Sequence, residues 1–422
     1  MWPARRRRQL VSPSNLRPVL LGTDLGVYAM ARSLHETFGL TSTVISEQPR
    51  GPINDSAILT NVFTGAGSKD EDTLAALERV AAQDPGADHL LIVNSDHQLD
   101  FVLRHRDRIE EQYLVPYAPA QTVAHLADKR AMQGVLERLD IPHPRTVEID
   151  PQKDRQAWAE QAGELMFPLV MKPFAGAEFE ELDFPGHRKV YALQNQQELA
   201  VELQRIAATG YTGTMLLQEL IGGDDTYNYV VNLYRDSRGQ ITMAASGRVL
   251  LAMHQPTFIG NSAIIMVDYR QDLIDQVAAV LAEVGFRGFA SADFKVDPRT
   301  GVAQLLDINP RPGRSHYYAG VGGASAARSV VADHVTGTAL ETQRATTPGV
   351  YAYIPTFVLG HYVRDKDLLR AARAVLRKRR AVHPLAYRAD ANLRRWWYRI
   401  LAQVNQLRGL WRFYPRPTDS GF

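Results

Sequence analysis

The stretch GFASADFKVDPRTGVAQLLDINPRPGRSHYY, residues 288–318, constrains the fold more than any other part of the chain. Two runs of strand-forming residues flank DPRTG, a type I turn signal with Pro298 placed to open it and Gly301 to take a left-handed conformation. A three-residue loop at 299–301 sets Asp293 opposite Asp307, with Asn309 two residues further along the same face. A four-residue loop breaks that parity unless a bulge restores it. Carboxylates on a half-buried strand face repel each other unless something answers their charge. Two readings stand. Either Asp293, Asp307 and Asn309 grip a hard divalent cation, which takes one or two carboxylates at ~2.0–2.1 Å together with substrate phosphates, or Asp307 and Asn309 cap the turn into PRPG while Asp293 pairs with Lys295 or an arginine.

Arg311 and Arg314 follow the second strand directly. Arginine suits bidentate carboxylate recognition, so Arg314, Ser315 and His316 either contact a substrate or anchor their loop through local salt bridges. The chain has no cysteine, which removes disulfides, Cys-ligated zinc and thiol nucleophiles. Its 12 histidines show no H-x-x-x-H spacing, against a zinc site. Chemistry is left to Asp, Glu, Lys, Arg and His.

The rest of the chain reads as mixed α/β and α+β. RPVLLGTDLGVYAMARSLHETFGLTSTVISE gives strand, glycine turn, helix and strand, and HLLIVNSD a further buried strand, so residues 1–125 form an open parallel α/β unit. Gly22 and Gly26 do not make G-x-G-x-x-G, against a Rossmann cofactor site. One amphipathic helix over HLADKRAMQGVLERLD opens a second unit, 126–345, with a small module at about 165–220 and an antiparallel sheet. Residues 346–422 are expected to be a basic amphipathic helical tail. The N-terminal segment lacks the apolar core of a secretory signal and no later run is long enough to span a membrane, so the expected location is cytoplasmic.

Lys129 opens the helix carrying DKRAM, and Lys172 leaves the end of the strand FPLVM, where a lysine either snorkels to solvent or holds an anion. Alone, Asp224 and Asp225 read as a solvated turn. In order, however, Lys129, Lys172, LLQELIGGDD and the acidic hairpin resemble the ATP-grasp superfamily of carboxylate ligases. PVLLGTDLGVYAMARSLHE, FIGNSAIIMVDY and the hairpin are most similar to D-aspartate ligases and related carboxylate–amine ligases, over roughly Pro18 to Tyr353.

The resemblance implies an ATP-grasp fold with a lid at 165–220, and ATP with Mg2+, or Mn2+ in its place, as cofactors. It also implies that Lys129 and Lys172 contact nucleotide phosphates, that Gln218, Glu219, Leu220 and Ile221 offer backbone to the adenine, and that Asp225 holds the ribose. Asp293, Asp307 and Asn309 match its metal ligands, and Arg311 the arginine steadying the transferring phosphoryl group. Many members use glutamates where Asp293 and Asp307 stand, and FAGAEFEELDFPGHRK lacks their run of lid glycines. The implied reaction activates an amino-acid carboxylate as an acyl phosphate and passes it to an amine. The donor would be D-aspartate through its β-carboxylate, and the acceptor the lysine side chain of a peptidoglycan precursor. Another amino-acid or dipeptide ligase, or a non-catalytic nucleotide-binding protein at a membrane surface, are the alternatives.

From His361 onward the chain carries 15 Lys and Arg against 4 Asp. In NLRRWWYRILAQVNQLRGLWRF, Leu393, Trp396, Trp397, Ile400, Leu401, Val404, Leu407 and Trp411 share a helical stripe. The stripe either lies on an anionic membrane, making the protein peripheral, or packs on the acidic body as a core helix. No specific nucleic acid is expected, because basic charge without a reader fold says little.

Overall fold

Five short apolar runs build a parallel sheet at the N-terminal end: β1 (Leu16–Leu21), β2 (Ser42–Ser46), β3 (Leu59–Phe63), β4 (Asp88–Ile92) and β5 (Tyr113–Leu114), in the order β3-β2-β1-β4-β5. Alternate residues of β1 serve opposite faces: Leu16 and Leu20 join one core and Val19 and Leu21 another. Burial on both sides is what a parallel sheet requires. The computed structural model describes residues 13–163, 165–174, 179, 182–188, 190–256 and 258–421.

Strand order reverses between β1 and β4, which opens a crevice beyond their carboxyl ends. Gly22 turns the chain there with φ +104°, and Asp24 caps the helix Leu25–Phe38 by accepting from the Val27 N–H at 2.9 Å. After β4, Ser95 caps the helix Asp96–Arg104.

The expected single helix over HLADKRAMQGVLERLD, 125–140, is divided between two. Asp128 ends Ala120–Ala127 and, by accepting from the Ala131 N–H, caps Lys129–Arg138. Lys129 is therefore a first-turn residue.

A second sheet, β6 (Thr146–Ile149), β7 (Leu169–Pro173), β8 (Tyr191–Leu193) and β9 (Met215–Glu219), is antiparallel in the order β6-β9-β7-β8. The helices Arg155–Ala162 and Gln196–Ala207 close it over its own core, with Trp158, Met171, Leu203 and Met215. The module thus begins at β6, earlier than the expected 165. The expectation for FAGAEFEELDFPGHRK falls partly on residues 175–178, 180, 181 and 189, which lie outside the described residues.

The largest sheet holds β10 (Asn228–Arg235), β11 (Ile241–Ala252), β12 (Ser262–Val267), β13 (Gly288–Val296), β14 (Ala303–Asn309), β15 (Gln343–Arg344), β16 (Val350–Ala352) and β17 (Ala381–Val382). Its order is β14-β13-β10-β11-β12-β16-β17, with β15 beside β11. Strands β16 and β17 correct the expected helical tail: the sheet continues past residue 346, because Tyr351 pairs with Ile265 of β12 and with Val382 of β17. Among the described residues no helix is long and apolar enough to cross a membrane. The helix Leu393–Phe413 docks on the body through Arg395, Tyr398, Gln406, Leu407 and Leu410, while Trp396, Trp397 and Trp411 stay exposed. The packed-core expectation thus holds for Leu407 at the edge of the stripe and not for its tryptophans.

Candidate active site

The acidic hairpin has the four-residue loop, and a bulge repairs its parity. The Asp297 N–H donates to the Val302 carbonyl at 2.9 Å, leaving residues 298–301 as the turn, with Gly301 at φ +72°. Phe294 then pairs with Leu305, but one extra residue, Leu306, sits opposite the Asp293/Phe294 step. Beyond it Asp293 faces Asp307 and Ser291 faces Asn309. Asp307 and Asn309 stand at the end of the edge strand β14, and Asp293 beside them on β13.

The Lys129 Nζ lies 2.6 Å from Asp307 Oδ1, so the new helix start at Asp128 aims its first lysine at the hairpin. Burial raises the Asp307 carboxyl, but Lys129 and Lys172 outweigh it and hold the group below its ordinary value. Asp293 has the opposite fate. Among the described residues no hydrogen bond or ion pair holds its carboxylate, and burial together with the Asp307 charge pushes it up to about 7 despite Arg311, Lys172 and Lys129. Lys172, at the end of β7, is pushed down to about 8 by burial and by Lys129, with Asp307 and Asp293 resisting. Lys129, Lys172, Asp293 and Asp307 thus form one electrostatic cluster drawn from a helix, a lid strand and the hairpin. An open groove joins Lys129 and Asp307 to Gln218 and Thr146.

At the end of β9, the Glu219 N–H donates to the Arg145 carbonyl and the Leu220 N–H to the Pro168 carbonyl. Gln218 Nε2 donates to Thr146 Oγ1, and Glu219 Oε1 accepts from the Met166 N–H at 3.2 Å. The next amide, Ile221 N–H, has no acceptor among the described residues. The Asp225 carboxylate, expected at the ribose, is buried, accepts from the Ala252 N–H at 2.8 Å and meets His254 Nε2 at 2.9 Å, which ties the end of this segment to β11. His254 in turn stacks on Tyr414, ring centroids 3.5 Å apart. The last residues fold back beside this segment: the Gly223 N–H donates to the Asp419 carbonyl at 2.8 Å and Lys295 Nζ to the Ser420 carbonyl at 2.9 Å.

Arg311 carries the site to the N-terminal crevice. Its Nε and Nη2 make a fork to both oxygens of Asp96, each 2.7 Å, while Nη1 has only a 3.4 Å contact to the Pro312 carbonyl. Arg314 lies over Phe258 and Tyr353, 5.1 and 5.4 Å from their centroids, with Nη1 3.2 Å from Met253 Sδ. Its backbone abuts Gly26, where a Cβ would come within 3.3 Å of the Arg314 Cα. Ser315 shows a backbone role, its carbonyl accepting from the Tyr318 N–H. His316 uses Nδ1 on the Gly313 carbonyl and leaves Nε2 buried without a partner; burial pushes the ring below its ordinary value. Asn94 donates to both oxygens of Asp24, yet Asn94 Oδ1 and Gln98 Oε1 are also buried without partners. Unsatisfied polar atoms around one crevice call for a polar ligand. Asp24, Asn94, Asp96 and Gln98 escaped the sequence reading. The signal available for them was position, at the carboxyl ends of the two strands flanking the reversal of order.

No family model matches the chain. It is 29% identical over 387 residues to a D-aspartate ligase of Enterococcus faecium (strain Aus0004), a match covering 90% of this chain and 92% of that one. The biotin carboxylase domain of the Hydrogenobacter thermophilus 2-oxoglutarate carboxylase, solved with MgADP, ADP and bicarbonate, superposes with a TM-score of 0.58 at 15% identity, over 79% of this chain and 73% of that one. The chain has the ATP-grasp fold and is similar over most of its length to a carboxylate–amine ligase. The Staphylococcus aureus N5-carboxyaminoimidazole synthetase, solved with ADP, shares the same ATP-grasp fold, with a TM-score of 0.56 at 16% identity over 79% and 81% of the two chains.

ATP-grasp ligases use ATP and Mg2+, and the residues present fit both. Two carboxylates and an amide oxygen on one face are the hard donors Mg2+ prefers. Asp293, unpartnered and pushed up by burial and by Asp307, is the member such an ion would relieve. No cluster of three or more His, Asp or Glu side chains that could hold a metal ion is found among the described residues.

Proposed function

We propose that this ATP-grasp ligase uses ATP to join the β-carboxylate of D-aspartate to the lysine side-chain amine of a peptidoglycan precursor, in the cytoplasm. The D-aspartate ligase of E. faecium, matched along nearly its whole length, supports the donor. The observation that carries the reading is the Arg311–Asp96 fork, which draws the end of the metal strand against the switch-point crevice. An acid bound beside Arg314 and the unpaired Asn94, Gln98 and His316 atoms would sit next to the phosphate-handling lysines.

A carboxylate does not acylate an amine at neutral pH because its oxygen leaves poorly. Transfer of the γ-phosphoryl group onto that oxygen makes an acyl phosphate, which the amine attacks with release of phosphate. In this reading Lys129 and Lys172 neutralise the phosphate oxygens, and the Nη1 edge of Arg311, held only by its 3.4 Å contact to the Pro312 carbonyl, faces the transferring group. Asp293, Asp307 and Asn309 would hold Mg2+, which supplies further charge neutralisation at the phosphates. No protein nucleophile is required, in accord with a chain that has no cysteine. The lid sheet, carried on its own core, suits exclusion of water from the acyl phosphate.

The test is phosphate release across D- and L-amino acids with a lysine-containing muropeptide, repeated with hydroxylamine as acceptor. D-Aspartate should give the fastest release and a β-hydroxamate. Release that ignores the amino acid, or a preference for another one, would remove the assigned donor.

A further inference from the structure

The helix Leu393–Phe413 docks on the body through its more polar side. An amphipathic helix of a soluble protein ordinarily buries its apolar stripe and shows its polar face to water. Here the central buried contact is Arg395, which pairs with Asp390 at 3.1 Å and donates to the carbonyls of Pro52 at 2.9 Å and Asn54 at 2.7 Å. Asp390 is itself secured by the Tyr28 hydroxyl and the Ser56 hydroxyl, at 2.7 and 2.8 Å. Gly409 lets the same side approach closely, since a Cβ there would collide with Gln255, and Leu410 completes the seat. The orientation of the helix is therefore locked by a buried ion pair and its hydrogen bonds.

The opposite, apolar side is left in solvent. Leu393 is 78% exposed, Trp397 57%, Leu401 59%, Val404 39% and Trp411 54%, with Trp396 at 46% on the flank. At about 100° per residue these positions fall within an arc of roughly 140° along a rod of about 30 Å. Surfaces of this kind mark a binding face. The helix carries five arginines and no acid. By the same spacing Arg394 and Arg412 border the stripe and Arg408 lies just inside that edge; among the described residues only Arg394 of these has an acidic partner in the body, Asp55 at 3.0 Å.

We infer that this face lies in the headgroup layer of an anionic bilayer, with the tryptophan stripe inserted and the bordering arginines on lipid phosphates. Charge decides between that occupant and a second copy of the chain. Two copies meeting through this face would set rows of arginine against each other with no carboxylate on either helix to answer them. An anionic membrane answers them, and tryptophan favours the interfacial layer. The inference goes beyond the ligase reading and stands without it.

The test uses the full-length protein with vesicles of phosphatidylcholine alone or with about 30% phosphatidylglycerol, read by co-sedimentation and tryptophan emission. Three of the five tryptophans lie on this face and Trp158 is buried. The expected result is a blue shift and at least roughly tenfold stronger binding to the anionic vesicles, weakened by raising salt. Leu401→Glu, at a solvent-facing position, should cut binding at least about tenfold while turnover on soluble substrates stays unchanged. The Trp396→Ser, Trp397→Ser, Trp411→Ser triple variant should abolish the blue shift. Equal binding to both vesicles, no binding, or wild-type binding by Leu401→Glu would overturn the inference. So would self-association in sedimentation velocity that Leu401→Glu abolishes, because the face would then belong to a second copy.

Discussion

Replacing Asp293 by asparagine should make the ligand-free protein less sensitive to pH. The folded-state carboxyl is raised from 3.8 to about 7 by burial and by Asp307. Between those values the folded state holds a proton that the unfolded chain has lost, so stability falls as pH rises through that window. From pH 5 to pH 7 the raised value is worth about 2–3 kcal/mol at about 1.36 kcal/mol per unit, reduced to roughly 2 kcal/mol because the cleft opens to water. The asparagine amide has no such proton to lose. At about 2 °C per kcal/mol for a large chain, the variant should gain about 4 °C on the wild type between pH 5 and pH 8 in thermal melts without divalent ions. Mg2+ with ADP should raise the wild-type melting temperature and leave the variant nearly unmoved. Parallel pH profiles for the two proteins would refute the argument that Asp293 is an uncompensated carboxylate.

Asp307→Ala should reduce ADP formation at least about a hundredfold, measured by a coupled assay, with near-UV circular dichroism retained; unchanged turnover would remove the metal assignment. Arg311→Lys keeps charge but loses the fork to Asp96, so kcat should drop more than about tenfold with a smaller change in the ATP KM. Truncation after Pro417 removes the Asp419 and Ser420 contacts to Gly223 and Lys295, and the ATP KM should rise several-fold while the donor KM stays level. Arg395→Ala strands the buried Asp390 and should cost about 3–5 kcal/mol, read as a lower melting temperature and faster proteolysis after residue 390.

The face of the acidic hairpin was legible in the sequence because antiparallel pairing makes register a matter of counting from DPRTG. The loop length was not, and only the bulge at Leu306 reconciles a four-residue turn with Asp293 facing Asp307. A motif fixes a position along the chain but not the direction of a side chain, so the partners of Asp225 could not be read: Ala252 and His254 lie on and just beyond a distant strand. The C-terminal helix shows the same limit. Its stripe was plain from periodicity, yet which side faces the body depends on Pro52, Asn54 and Asp390, contacts that periodicity cannot reveal. Asp24 and Asp96 were not singled out, because only the strand order places them beside one crevice.

The central claim is that ATP activates a carboxylate as an acyl phosphate at the Asp293, Asp307, Asn309 and Arg311 cluster. Supplying the donor amino acid with 18O in its carboxylate and analysing the released phosphate by mass spectrometry tests it most directly. The account requires one 18O atom per phosphate, lost in parallel with turnover in Asp307→Ala. Phosphate free of label during amide formation would contradict it.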